Sequence, residues 1–551
     1  LASGFLASSI KLLHSKGALA VHRILFLTAL FCQPIVWSDQ QPICINGVLE
    51  DWDNVEAAAT DPIGDSTGGP DFVALTVADD DHNLFLKIEA SSSFDLSENN
   101  NLRLYLDTDL NASTGKSIGG IGAELEWRPG ERSGTFFHAG NETFLYHADI
   151  TFRGQPTVTS HVFEGSISRS ATPDGQNPLF TGSSVRLFLQ DGANGDRIPN
   201  SGSVVTYTFD VGSTPLIEKR SVPRKQIDEL RMITHNVLND RPFSNQWQDQ
   251  FFRQWISVRP DILHLQEIYS HSTQETEELI ENCLGGTWFS AGHNDCKTIS
   301  RYPITGNWSI DGNLAVLIDT TASIGTPVLC INAHFPCCSN DEGRQEEADA
   351  VMAFIREAYQ PGGALNLGND VPVLIAGDLN LVGLARQLET LITGDIADND
   401  WFGPDFLPDP DGSYLQNTVS RLTEQRMGYT WRSDNSWFWP GHLDYMIYSD
   451  SNLQRSHDFL LDTREMSLDE LEGNDLEEQD SSSSDHLLFC VDFRRVCRAD
   501  LDSNGDVGFD DLISLLTFWG PCQSDCSGDL DNDGTIGFAD LVELISNWGS
   551  C

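Results

Sequence analysis

Positive charge is the scarce ingredient of this sequence. Its 551 residues hold 33 Lys and Arg against 82 Asp and Glu, a formal net charge of -49. Between Asn236 and His486 the single lysine is Lys297. That balance excludes a broad basic face able to hold long nucleic acid by counterion release. Arginines such as Arg231, Arg301, Arg344 and Arg432 remain, and a few of them set in a cleft could grip one or two phosphates bidentately. Long apolar runs are also missing. After Ile24–Trp37 no segment is apolar for long enough to cross a bilayer. That one run follows Lys11, Lys16 and Arg23, is short for a span and has the form of a signal peptide over residues 1–38. The expectation is an exported protein, secreted or held at the cell surface. No close Cys/His quartet is present either, so the 12 cysteines point to disulfides rather than zinc. Setting Cys32 aside leaves an odd number, hence at least one cysteine without a partner in the chain.

The length implies several cores rather than one. Residues 43–212 read as β-rich: Phe72–Val77, Leu84–Ile88, Leu102–Leu106, Val185–Leu189 and Val204–Phe209 alternate or run apolar between Asp/Asn/Gly/Ser turns. A β-sandwich is the natural architecture. Its opening, Ile45-Asn-Gly-Val-Leu-Glu-Asp-Trp52, resembles the first strand of carbohydrate-binding and DOMON-like modules. Trp52 and Trp127 are the aromatics available to stack on a sugar. Asp107, Asp109 and Asn111 read equally as a calcium loop or as an Asp/Asn hairpin turn. Residues 213–228, with Pro215 and Pro223 and a basic cluster, read as a linker. Residues 229–495 alternate buried-looking strands with helical stretches, the mark of an α/β layered domain, expected here as a four-layer, two-sheet sandwich. Within it the acidic, serine-rich Leu471–Ser484 reads as a solvated loop.

Polar residues stand at the ends of several of these strands. Leu230-Arg-Met-Ile-Thr-His-Asn236 delivers an amide, and Asp261-Ile-Leu-His-Leu-Gln-Glu267 a carboxylate. Then follow Leu329-Cys-Ile-Asn-Ala-His334, Pro372-Val-Leu-Ile-Ala-Gly-Asp378-Leu-Asn380, His442-Leu-Asp444 and Ser484-Asp485-His486. In this order the segments resemble the endonuclease/exonuclease/phosphatase superfamily, which includes deoxyribonuclease-like enzymes, abasic-site endonucleases, sphingomyelinases and inositol-phosphate phosphatases. The resemblance implies a metal-dependent phosphoesterase. A phosphodiester is anionic and repels an anionic nucleophile, so a hard divalent cation is needed at a non-bridging oxygen. By resemblance, Asn236, Glu267 and Asp485 hold Mg2+ or Mn2+, Asp378 and Asn380 orient or activate water, and Asp444 fixes the tautomer of His486. His334 is the second phosphate-facing histidine, and the choice of acid and base among His334, Asp378 and His486 stays open. His235, His264 and His442 flank the motifs without matching them and read as structural. The substrate favoured is a nucleic acid, with a sphingomyelinase, phospholipase C-type or inositol-phosphate phosphatase activity as the enzymatic alternative. A non-catalytic scaffold protein is the alternative of another class.

Residues 497–551 repeat internally. Asp500, Asp502, Asn504, Asp506 and Asp511 occupy positions 1, 3, 5, 7 and 12 of a calcium loop around Gly505, and Asp529, Asp531, Asp533, Thr535 and Asp540 do so around Gly534. One helix per loop, beginning at the twelfth position, makes the repeat similar to a type I dockerin, a small helical EF-hand-like module that binds Ca2+. That resemblance implies a cohesin-like scaffold partner. A repeated unit should repeat its staple, so the expected disulfides are Cys497–Cys522 and Cys526–Cys551.

Overall fold

The computed structural model describes residues 42–550 apart from 193–194, 211–216, 228, 364, 503, 523–525 and 531–532. The signal-peptide expectation and the calcium ligand Asp531 lie outside the described residues. Among these, no helix is long and apolar enough to cross a membrane.

Two antiparallel sheets come first. One orders Ala57–Thr60, Phe72–Asp79, Asn83–Phe94, Ser160–Ser168 and Arg153–Gln155. The other runs from Arg197–Ile198 through Ser184–Asp191, Leu102–Asp107, Leu125–Arg128 and Ser133–His138 to Asn141–Leu145. Alternate residues of both, including Leu75, Leu86, Leu104, Leu125 and Leu187, meet in one apolar core. Trp52 and Trp127 are 1% and 0% exposed, so neither can stack on a sugar, and the expectation for them is corrected. Trp127 points inward from the strand Leu125–Arg128 and Trp52 from the short 3-10 turn Glu50–Trp52, where their large apolar area is worth most. Asp109 accepts from the Asn111 backbone and from Thr114 Oγ1, as a turn residue would, while oxygens of Asp107, Asp109 and Glu124 gather within 4.8 Å.

Two six-stranded sheets then face each other. The first orders Phe289–His293, Cys296–Ser300, Ile262–Gln266, Leu230–Asn236, Leu488–Arg495 and Leu453–Leu461. The second orders Ile304–Ile310, Asn313–Ile318, Val328–His334, Val373–Asp378, Asp444–Tyr448 and Gln416–Asn417. Met232, Ile262, Val316, Leu374, Met446 and Val491 fill the space between them. The helices Gln248–Val258 and Thr273–Leu284 cover the first sheet, and Asp341–Tyr359 and Arg386–Thr393 the second. Helices, sheet, sheet and helices make the four layers expected. Leu230–Asn236 runs parallel to Ile262–Gln266, and Val328–His334 parallel to Val373–Asp378, so their C-terminal ends point the same way within each sheet. Gly377 is required there, because a Cβ would meet the Ala333 carbonyl oxygen at 1.8 Å.

The N-terminal sheets are fused to this layer rather than tethered to it. Ile43, Ile45, Trp52 and Phe85 belong to the core between the two six-stranded sheets. Ile45 and Phe85 alone, fully buried, are each worth roughly 1.5–3 kcal/mol. Thr157 Oγ1 donates to the carbonyls of Leu381 (2.9 Å) and His442 (3.1 Å), Val158 bridges Gly383, and Trp439 Nε1 donates to Gly154 (3.2 Å). The stretch read as a linker also packs. Val222 is buried, Arg220 N donates to the Thr423 carbonyl, and Arg231 Nη1 donates to Val222. Leu471–Ser484 is solvated over most of its acidic residues, with Glu472, Asp475, Glu477 and Glu478 exposed, while Asp480, Ser481 and Ser483 are buried and Arg253 and Gln254 bind Asp480.

In the C-terminal repeat the helices Phe509–Thr517 and Phe538–Ser546 begin two residues before the twelfth loop position. Asp511 and Asp540 turn back to accept from Gly508 and Gly537 (2.7 and 2.6 Å). The expected Cys497–Cys522 and Cys526–Cys551 staples are both corrected: Cys522 is bonded to Cys526, and Cys497 is in another disulfide. The reason is an exchange of strands between repeats, since Gly520–Pro521 pairs with Thr535–Ile536 and Asp506–Val507 with Gly549–Ser550. Each repeat's tail therefore lies on its neighbour. Elsewhere Cys337 bonds Cys338, and Cys44, Cys283, Cys296, Cys330 and Cys490 are free thiols, three of them buried.

Candidate active site

Asp378 is the hub of the polar cluster at the strand ends. It is 1% exposed. Its Oδ2 accepts from Asn236 Nδ2 (3.0 Å) and Asn380 Nδ2 (3.1 Å), and its Oδ1 from the Asn380 backbone (3.0 Å). The Nε2 atoms of His334 and His486 lie 3.6 and 3.5 Å from the same Oδ2. Asn236 Nδ2 also donates to Glu267 (3.1 Å), which sits at φ +63° just past the end of its strand, a left-handed turn that redirects the carboxylate. Behind His486, Asp444 accepts from Nδ1 (2.8 Å), and behind His334, Asp295 does the same (2.6 Å).

Glu267, His334, Asp378, Asn380 and His486 therefore line one cavity of about 610 Å3. Asn236 and Asp444 stand one hydrogen bond behind that lining. Asp485 is adjacent in sequence, with Oδ2 accepting from Trp431 Nε1 (3.0 Å), and Trp431 faces the cavity. Ser484 Oγ ties this segment to the Asn236 carbonyl (2.8 Å).

Electrostatics divides the histidines into two groups. Burial alone would depress His334, but the Asp295 hydrogen bond and the fields of Asp378, Asp295 and Glu267 outweigh it and push the group up to about 9. Burial likewise opposes charge on His486, and Asp444 and Asp378 overcome it and raise it to about 10. Both are imidazolium donors at neutral pH. His235, His264 and His442 are fully enclosed without a carboxylate, and desolvation lowers them to about 3, 4 and 4, so they stay neutral core residues as expected.

Sequence reasoning missed Asp295, which immediately precedes the strand Cys296–Ser300. Asp295 Oδ2 also accepts from the Glu267 backbone (3.0 Å), locking carboxylate and histidine into one frame. It missed Asn313 too, whose Oδ1 accepts from the His334 backbone (2.8 Å). Neither lies in a strand-end motif, and only the pairing of Cys296–Ser300 with Ile262–Gln266 brings Asp295 to the site.

Asp378, Asp444 and His486 form a group close enough to share a cation, whereas Glu267 and Asp485 are in no such group among the described residues. Asp485 Oδ1 and Asp444 Oδ1 are buried oxygens without a hydrogen-bond partner, and oxygens of Asp378 and Asp444 lie within 4.8 Å of a His486 nitrogen.

Residues 233–486, a little under half of the chain, match the Endonuclease/Exonuclease/phosphatase family. The class so defined is a hydrolase of the phosphodiesterase or phosphatase type. No curated protein matches the sequence. Among solved structures, the human Nocturnin catalytic domain with bound sulfate is 16% identical, over 51% of this chain and 97% of that one, with a TM-score of 0.30. Beta toxin from Staphylococcus aureus is 14% identical over 48% and 99%, with a TM-score of 0.31. ANGEL2, a 2',3'-cyclic phosphatase, is 15% identical over 51% and 99%, with a TM-score of 0.33.

Proposed function

We propose that the protein is an exported, metal-dependent phosphodiesterase. The observation that carries this reading is the convergence on Asp378 of an amide from each side and an imidazolium from two further strands. Glu267 and Asp485, with Asn236 fixing Glu267, would hold Mg2+ or Mn2+. Bound there, the cation supplies charge neutralisation at a non-bridging oxygen and at the leaving oxygen. His334 and His486 already carry protons and donate to the phosphate. Asp378, presented by Asn380, is left to orient the attacking water and take its proton. Water oxygen bonds to phosphorus as the ester P–O bond breaks, and one imidazolium protonates the departing oxygen.

A second role for the C-terminal repeat is favoured by its surface. Phe509, Ile513, Phe538, Val542 and Ile545 are exposed apolar side chains on the two helices, and oxygens of Asp500, Asp502 and Asp511 gather within 4.8 Å. We infer a calcium-folded module that docks on a protein partner of the cohesin type.

One experiment tests both. The purified chain is stripped with EDTA and assayed on bis(4-nitrophenyl) phosphate, sphingomyelin and an inositol phosphate. Mn2+ or Mg2+ is expected to restore turnover of the diester by about 100-fold or more. Ca2+ is expected instead to protect residues 497–551 from proteolysis. Full turnover without metal would end the metal-dependent reading, and equal cleavage of the repeat with and without Ca2+ would end the calcium reading.

A further inference from the structure

The cleft has two walls, and one of them is not part of the two six-stranded sheets. Asp95, Leu96, Ser97, Pro156 and Thr157, all from the N-terminal sheets, face the same cavity as His334 and His486. The wall is fixed in place, because Thr157 is tied to the Leu381 and His442 carbonyls and Arg132 donates to the Ser97 carbonyl (3.1 Å) and to Glu98 (2.8 Å). Phe335, Pro336 and the bonded pair Cys337–Cys338 line the same cavity. Arg344, 0% exposed, clamps that side through the carbonyls of Pro336, Cys338 and Val382. Trp431, Phe438 and Trp439 complete an apolar and aromatic lining.

No lysine or arginine is among the described residues that line the cavity. Every basic side chain that the sequence offered for phosphate is engaged elsewhere. Arg231 forms a buried bidentate pair with Asp492, and Arg432 is held by Asp434, Asp462 and Glu465. Arg301 lies over the Trp288 ring beside Asp261, and Lys297 donates to the Ile268 and Asn294 carbonyls. The charges that do face the cavity beyond the histidines are acidic, including Asp95 and Glu347. A strand of nucleic acid brings a phosphate every few ångströms and needs a cation for each one it buries. This cleft offers cationic groups for one.

Resting on the phosphodiesterase reading, we propose that the cleft takes a small diester, a single phosphate carrying compact aromatic or apolar groups, and that the N-terminal sheets set this limit by walling off the interior of a polynucleotide. Ser97 and Phe438, both in contact with Arg132, are the specificity-determining positions. The nuclease expectation narrows accordingly.

The test compares bis(4-nitrophenyl) phosphate with supercoiled plasmid, which presents interior diesters only, using the full chain with Mn2+. Turnover of the small diester without nicking of the plasmid is expected. Ser97→Trp, which fills the cleft from the N-terminal side, is expected to raise KM for the small diester about tenfold while kcat changes little. If that variant folds poorly, Phe438→Ala is read in its place, with the same rise in KM from loss of a stacking surface. Plasmid nicking as efficient as small-diester turnover would overturn the proposal and leave the phosphodiesterase reading standing. An unchanged KM in a folded variant would do the same. Turnover of neither substrate would overturn the reading itself, and this inference with it.

Discussion

Replacing Asp378 with asparagine is expected to cut kcat/KM on bis(4-nitrophenyl) phosphate by about 1,000-fold or more, in a protein that still folds. Every neighbour of this carboxylate is a donor: Asn236 Nδ2, Asn380 Nδ2, the Asn380 backbone and the two imidazoliums. An amide of the same shape must turn an NH2 group toward one of them. The variant also removes the negative charge that helps hold His334 and His486 protonated, so both imidazoles should titrate lower and donate less to the phosphate. The loss should therefore fall mainly on kcat, with the pH profile shifted to the acid side. A loss smaller than about tenfold would remove Asp378 from the chemistry.

Metal-free protein is expected to lose several kcal/mol of stability between pH 6.5 and pH 9. One contributor, over the first half of that interval, is Glu164, 1% exposed, which accepts from the backbones of Asn46 and Gly47 (2.6 Å each) and from Trp52 Nε1 (3.0 Å). Desolvation pushes it from 4.5 up to about 8 despite those bonds. The native state thus holds a proton that the unfolded chain has released, and this contribution is complete below 4.5 and lost as the pH rises through 8. His334 and His486 act in the same direction. Their raised values give stability that is full below 6.5 and lost through about 9 and 10. The depressed His235, His264 and His442 oppose this only below 6.5, where the unfolded chain gains protons they refuse. Urea midpoints at pH 6.5, 8 and 9 in EDTA measure the slope, and Glu164→Gln should flatten its first half. Stability that is level or rising across this interval would contradict the assignment.

The strand-end residues were legible because each follows an apolar strand whose burial fixes where the next side chain emerges. Asn236, His334 and Asp378 all end such strands. Other features left no periodic trace. Asp295 reaches the site through the pairing of Cys296–Ser300 with Ile262–Gln266, and Thr157 reaches Leu381 across 224 residues. The resemblance of Ile45–Trp52 to the first strand of a free-standing binding module hid the fact that Ile45 and Trp52 are core to their neighbour, where the segment forms an isolated bridge to Met427 and a 3-10 turn instead of a strand. Composition served in part at Leu471–Ser484, where Glu472, Asp475, Glu477 and Glu478 are exposed but Asp480 is drawn inside by Arg253 and Gln254. The cysteine pattern repeats faithfully, but a sequence repeat does not say whether each unit closes on itself or on its twin.

The central claim is that Glu267 and Asp485, from opposite ends of the two-sheet layer's sequence, bind one cation in front of His334 and His486. Crystals soaked in Mn2+ and measured at the manganese edge test it most directly. The expected result is one anomalous peak within bonding distance of both carboxylates, absent in the Glu267→Ala, Asp485→Ala double variant. No peak there in wild-type crystals whose C-terminal loops are visibly loaded would contradict the account.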